Sequence, residues 1–343
     1  MGRVLILLLA LNAAAYGNEL RIGVFGLFHP TELVLRAAPR STLLISLAGT
    51  EWKLEAPRTA RFRAGRTGIL CTSGDRVATT SMVRISGTAS RTGFILSVPG
   101  KIERRFVATL DIRVRGGELV PVVITDLETA VASVVAAESV PGAPVEALKA
   151  QAIAARSFYV ASSARHPDFQ FCDTTHCQFL KEPPLESDAA AAAASASRGL
   201  ILLHAGAPLA ALFSASCGGR TRTLAEAGMA ADGYPYYAIE CRPCQKSTPH
   251  WQRNFPADFA SLLENPTEAH RLELGRLLGW DALPGYNYTL TREGDQIVVH
   301  GRGEGHGIGL CQRGANAMAR SGADHRLILN YYYPNTVIGS HGD

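Results

Sequence analysis

The hydrophobic period of this chain changes once, near residue 125. That change limits the fold to a sheet-forming part followed by a part in which helices and sheet mix. Before it, "LRIGVFGLF", "LVLRAA", "LLISLAG", "SMVRISG", "TGFILSV", "RFVATLDIRV" and "LVPVVIT" are short runs rich in β-branched and aromatic residues. Gly, Pro and Ser clusters punctuate them, the pattern of successive short strands. After it, "TDLETAVASVVAAES" carries Leu127, Val131, Val134 and Val135 at helical spacing, with Thr125 and Glu128 at the separation of a capping box. Pro141 and Gly142 break that helix, and Pro144 suits the first turn of a second one over roughly 144–164. Alanines at 147, 150, 152, 154 and 155 permit a neighbouring element to approach it closely. The alanine-rich run over 186–197 predicts a third helix, and residues 199–216 a hairpin turning at Ala205-Gly206. Residues 296–322 read as a strand, a glycine-rich turn and a helix. The expected fold class is α+β: a β-rich region over 18–110, then a domain over 111–338 whose helices pack on sheet.

With 343 residues, 47% hydrophobic and 19% charged, the chain has ample material for a globular core. The net charge of +4 mildly favours anionic partners such as cell-wall polymer or a membrane surface. No Lys/Arg run is interleaved with aromatics, which argues against nucleic acid as a partner. Residues 1–17, "MGRVLILLLALNAAAYG", combine one early arginine, an apolar stretch from Val4 to Leu11 and the small-x-small triplet Ala15-Tyr16-Gly17. These features predict a signal peptide, a mature start near Asn18 and an exported, periplasmic or extracytoplasmic protein. The apolar stretch is too short to span a bilayer, and no later segment reaches ~18 apolar residues.

Glu138 is the sharpest chemical feature. It lies four residues after Val134 on the same apolar stripe, where desolvation raises a carboxyl pKa toward the value a general acid needs. The alternatives are a helix-end acid turned to water, or an ion pair with Arg156. Gly301, Gly303, Gly305, Gly307 and Gly309 alternate strictly around His306. They strip one face of an extended segment, for close approach to a ligand or another chain, or for close strand packing. Cys217, in "FSASCGGRT", is a candidate nucleophile with His306 or His176 as base, which would make a cysteine amidase. A small buried cysteine or half a disulfide is the other reading. His166, Cys172 and His176 form an H-x5-C-x3-H set, which with water would make an open zinc site. Cys241 and Cys244 form a CxxC with His250 nearby. They suit a metal or, in an exported protein, a disulfide. The seven cysteines are an odd number, so at least one stays outside any internal disulfide.

In order along the chain, "AAESVPGAPVEALKAQAIAARSFY", "CDTTHCQF", "RGLILLHAGAPLAALFSASCGGRT" and "GRGEGHGIGLCQRGANAMARSG…ILNYYYPNTVI" resemble the stage II sporulation protein D family, also known as amidase enhancers. The resemblance runs from about 110 to 338. It implies a peptidoglycan lytic transglycosylase, with Glu138 at the position of the family's catalytic glutamate. Members cleave the β-1,4 bond between N-acetylmuramic acid and N-acetylglucosamine, leave 1,6-anhydro ends and prefer strands stripped of stem peptides. By membership in the matched motifs, Gln151, Arg156, Ser216, Gly218, His306 and Gln312 are expected to line the cleft and orient sugar hydroxyls and N-acetyl groups. Some members hold zinc with two histidines and a cysteine, which implies a zinc ion on His166, Cys172 and His176. The implied partners are glycan strands and a separate cell-wall amidase; the second family name implies an alternative, a non-catalytic wall-binding module. Glu304 stands where relatives usually carry an aromatic residue, and a second carboxylate there would make plain hydrolysis possible.

Overall fold

The computed structural model describes residues 19–89, 92–230, 233–264, 267–279 and 281–341. The expected signal peptide and the start at Asn18 lie outside the described residues. The architecture is α+β, with strands dominating the first third of the chain and helices following.

Two sheets form the first part. A seven-stranded sheet runs in the spatial order Phe171–Cys172, Glu19–Gly23, Glu118–Asp126, Thr109–Arg115, Met82–Gly87, Thr42–Leu47 and Thr50–Glu55. A six-stranded sheet runs Ile102–Val107, Gly93–Val98, Glu32–Ala37, Thr59–Gly65, Gly68–Ser73 and Arg76–Thr80. Alternation decides which side chains face inward: Thr42–Leu47 buries Leu43, Ile45 and Leu47 and leaves the intervening residues half-open. The inward faces of both sheets contribute to one continuous core, where each fully enclosed Leu or Ile adds roughly 1.5–3 kcal/mol. Residue 110 lies inside the strand Thr109–Arg115, which pairs with Met82–Gly87 on one side and Glu118–Asp126 on the other. The sheet therefore crosses the boundary expected at that point.

Helix α1 (Leu127–Glu138) grows directly out of the strand Glu118–Asp126. Its N-cap is Asp126, whose carboxylate accepts the Thr129 N–H at 2.9 Å, one residue later than the capping box predicted. Glu128 is thereby free to reach elsewhere. Helices α2 (Val145–Ala161) and α3 (Ala189–Ala196) pack against α1 and each other. Ala130, Ala150, Ala154, Ala193 and Ala194 are buried there, because only a methyl group fits between closely spaced helices. Leu200–His204 and Ala207–Pro208 form the expected hairpin around Ala205-Gly206.

The remaining helices are α4 (Arg242–Ser247), α5 (Ala260–Glu264), α6 (Glu268–Leu278), α7 (Gln312–Arg320) and α8 (His325–Tyr332). α2 packs on α7 and α8. Between α4 and α7, the strands His250–Pro256, Gln296–Arg302 and Asn287–Glu293 make a small sheet in that spatial order. Phe255, Leu263, Leu274, Leu283, Ile297 and Val299 give it a core of its own. The alternating glycines lie against another segment of the same chain. A Cβ on Gly303 would stand 2.5 Å from the Gly218 nitrogen, and one on Gly309 would stand 2.0 Å from the Leu212 oxygen. Both also have positive φ, so a side chain is refused twice over. Among the described residues no helix is long and apolar enough to cross a membrane.

Candidate active site

Glu138 is the last residue of α1, where backbone carbonyls run out of helical partners. The Gln312 side chain of α7 donates to the Glu138 carbonyl oxygen at 3.1 Å and so fixes the helix end. The carboxyl accepts one hydrogen bond, from the Phe179 N–H at 2.8 Å, and no ion pair reaches it among the described residues. Glu138 is half-buried, and its immediate surroundings are dense. Burial pushes its pKa up to about 7, against the lowering effect of the Phe179 N–H. A carboxyl that is partly exposed yet set in dense surroundings combines two properties: it is reachable, and it is desolvated.

The loop that supplies Phe179 is itself tied down. Asp173 on this loop accepts from the Phe25 N–H at 3.2 Å and from Arg104 at 2.8 Å, while Arg104 also donates to the Leu180 carbonyl. Gln178 donates to the Ala155 carbonyl of α2. On the same loop the donor atoms of His166, Cys172, His176 and Cys177 all lie within 4.8 Å of one another. Cys177 Sγ is 3.4 Å from His166 Nε2 and 3.6 Å from His176 Nδ1, and Cys172 Sγ is 3.7 Å from His176 Nδ1. A zinc tetrahedron with ordinary bond lengths has sulfur-to-nitrogen edges of about 3.6 Å. The donor set therefore fits zinc. Cys177 joins the three expected residues as a fourth possible donor, where an open site would have had water. A Cys-x4-Cys spacing with a histidine inside it is the signal that would have found Cys177. Tyr159 of α2 is a further residue the sequence did not single out. Its hydroxyl is buried without a hydrogen-bond partner. Burial first, then the charges of Cys177 and Glu138, raise its pKa well above that of a free tyrosine.

The other expected cleft residues fare differently. Arg156 is fully enclosed. Its guanidinium forms a bidentate pair with Glu128 at 2.8 and 2.6 Å and donates to the Leu200 and Ala194 carbonyls. It is a structural ion pair and not a sugar ligand, and it does not pair with Glu138. His306 is engaged at both ring nitrogens: Nε2 bonds to the Phe213 carbonyl at 2.8 Å, and Nδ1 accepts the Ile308 N–H. That arrangement fixes its tautomer and braces the glycine-rich turn. Gly218 has φ +76 and packs on Arg302, where a Cβ would meet the Arg302 oxygen at 2.5 Å, so its role is close backbone approach. Ser216 is buried, with its backbone paired to Glu304 on both sides. Gln151 is buried in α2 with an unpartnered Nε2. Of the six, Gln312 alone has a bond to Glu138 itself. Cys217 is buried among other sulfurs, with no histidine in that group among the described residues, which removes the basis for a cysteine nucleophile. His250 is exposed and lies outside the sulfur group that contains Cys241 and Cys244.

The model of a family described as Stage II sporulation protein matches residues 115–204, the stretch that holds Glu138, α2 and the His/Cys loop. Stage II sporulation protein D of Bacillus subtilis is 30% identical over 259 residues, covering 62% of this chain and 74% of that protein. The chain belongs to the stage II sporulation protein D family. Other relatives of this family member are an uncharacterized protein of Brachyspira hyodysenteriae and the Amidase enhancer of Bacillus subtilis. The first is 27% identical over 242 residues, 61% of this chain; the second is 35% identical over 69 residues, 20% of this chain. The chain spans 65% of the Brachyspira relative and 10% of the amidase enhancer.

Proposed function

We propose that this family member is an exported peptidoglycan lytic transglycosylase with Glu138 as its single general acid and base. The observation that carries the reading is a half-open carboxyl with a pKa raised to about 7 and no cationic partner among the described residues. Its substrate is the β-1,4 bond between N-acetylmuramic acid and N-acetylglucosamine in strands stripped of stem peptides. Protonated Glu138 gives its proton to the glycosidic oxygen as the bond to C1 breaks. The resulting carboxylate then takes the proton of the muramoyl C6 hydroxyl as O6 bonds to C1, closing the 1,6-anhydro ring. The proton count returns to its start and no water is consumed. One acid suffices where a hydrolase needs two, since the second carboxylate of a hydrolase serves as nucleophile or activates water. Desolvation keeps Glu138 protonated for the first step, and the Phe179 N–H steadies the charge formed after it.

His166, Cys172, His176 and Cys177 would hold zinc, which supplies fixed geometry and not a reaction step, since four protein donors leave it no open position. Their task is to shape the loop that presents the Phe179 N–H to Glu138. Mass spectrometry of denuded glycan strands after incubation tests the proposal: anhydro-ended muropeptide-free fragments are expected, and Glu138→Gln abolishes them. A second reading draws on the named Amidase enhancer relative: a non-catalytic wall-binding module that stimulates an amidase. It is preferred if wild type yields no anhydro ends while Glu138→Gln binds the same strands as well as wild type.

A further inference from the structure

A second group of sulfurs lies apart from the His/Cys loop and has no part in the proposed reaction. Cys217, Cys241, Cys244 and Cys311 are all buried, and their four Sγ atoms lie within 4.8 Å of one another. They come from three separate segments: the turn after the strand Phe213–Ser214, the CxxC at the start of α4, and the N-cap of α7. Phe213–Ser214 pairs in parallel with Leu310–Cys311, so Cys217 and Cys311 arrive from neighbouring strands, and the Cys241 N–H donates to Gly219 at 2.8 Å.

The geometry points to a closed tetrathiolate zinc site on Cys217, Cys241, Cys244 and Cys311. Four sulfurs around one zinc ion have edges of about 3.8 Å, inside the spread found here, which includes 3.3 Å between Cys244 and Cys311. A multi-iron cluster would hold some of its cysteines farther apart, since they are spread over two or more irons. Two disulfides would need only two close pairs and would not require all four sulfurs to converge. The surroundings also suit thiolates. Cys311 Sγ accepts the Cys217 N–H at 3.3 Å and the Gly314 N–H at 3.4 Å. The Tyr332 hydroxyl lies 3.2 Å from Cys241 Sγ, and the Ser216 hydroxyl 3.7 Å from Cys244 Sγ. Four thiolates around a divalent ion leave two negative charges, and these donors together with the positive end of α7 offset them. Gly314 lets the helix seat over the group: a Cβ there would stand 2.7 Å from Cys241 Sγ.

The site would brace the segment that holds the end of α1. Gln312, which bonds to the Glu138 carbonyl, follows Cys311 directly. The small sheet over 250–302 also leaves and rejoins the main body between Cys244 and Cys311, so the ion closes the loop that carries it. This assignment stands whether or not the chain is a transglycosylase.

Metal analysis of protein purified without chelator or reductant tests it. Wild type is expected to hold about two equivalents of zinc, one for each group. A Cys172→Ser/Cys177→Ser variant, which keeps the tetrathiolate group intact, is expected to hold about one. Denatured wild type should then titrate as seven thiols. Less than about a tenth of an equivalent of zinc in the variant, iron in place of zinc, or three titratable thiols from two disulfides would overturn the proposal. Should the variant fail to fold, wild-type zinc decides: two equivalents uphold it, and one or fewer sink it.

Discussion

Helix α1 carries Glu128 in its first turn and Glu138 at its last residue, and the protein gives these two acids opposite surroundings. Glu128 meets the enclosed Arg156 guanidinium face to face, with the Gly199 N–H adding to it at 3.3 Å. Glu138 meets one backbone N–H and no cation among the described residues. The helix is the same and the side chains are identical. What differs is the element that arrives opposite: α2 with an arginine at one end, the His/Cys loop with an amide at the other. A carboxyl given a buried cation is structural, and one given desolvation with access to solvent is a candidate acid.

The sharpest way to break that comparison is to neutralise each acid in turn. Glu138→Gln is expected to lower the rate of anhydro-product formation at least ~10³-fold, since both proton transfers depend on it, while leaving the melting temperature no lower. Glu128→Gln should do the reverse. It leaves the Arg156 charge enclosed without its partner and should cost roughly 3–5 kcal/mol in urea unfolding. Replacing both partners, Glu128→Met with Arg156→Leu, should return most of that loss, because no charge is then stranded.

The raised pKa of Glu138 gives a pH test. Below the unfolded carboxyl pKa near 4.5 the group is protonated in both states and has no effect on stability. As pH rises from there to about 7, the unfolded chain gives up the proton while the folded one keeps it, so folding becomes progressively less favourable. Above 7 the cost is complete. Glu138→Gln should therefore be more stable than wild type by roughly 2–3 kcal/mol at pH 8 and equal to it at pH 4, as read from urea midpoints. Activity should fall as pH rises through about 7, with the loss of the protonated acid. The smallest effect expected is that of Gln312→Ala. Removing its bond to the Glu138 carbonyl should cost about 1 kcal/mol of stability without changing the identity of the products.

Much of this was legible in the chain itself. The apolar stripe of Leu127, Val131, Val134 and Val135 gave α1 and placed Glu138 on its buried side, because helical periodicity is a local property. The β-rich first part followed from short β-branched runs between turn residues. The role of Arg156 was not legible. It shares a motif with Gln151, yet five residues along a helix turn a side chain well away, and its partner Glu128 is 28 positions earlier. His306 looked like a ligand-facing residue because the glycines around it suggested access; the carbonyl of Phe213, 93 residues away, occupies it instead.

The sequence by itself determined the β-rich first part, the helices around Glu138, which acid sits on an apolar face and which segments carry sulfur and imidazole donors. All of these depend on neighbours a few residues apart. The tertiary structure alone decided which donors share a site, that Cys177 closes one group and that Cys217 and Cys311 complete another. It also decided which of two acids on one helix receives a cation. Convergence of that kind is set by sheet pairing and helix packing between segments far apart in the chain, 94 residues for Cys217 and Cys311, and no local pattern encodes it.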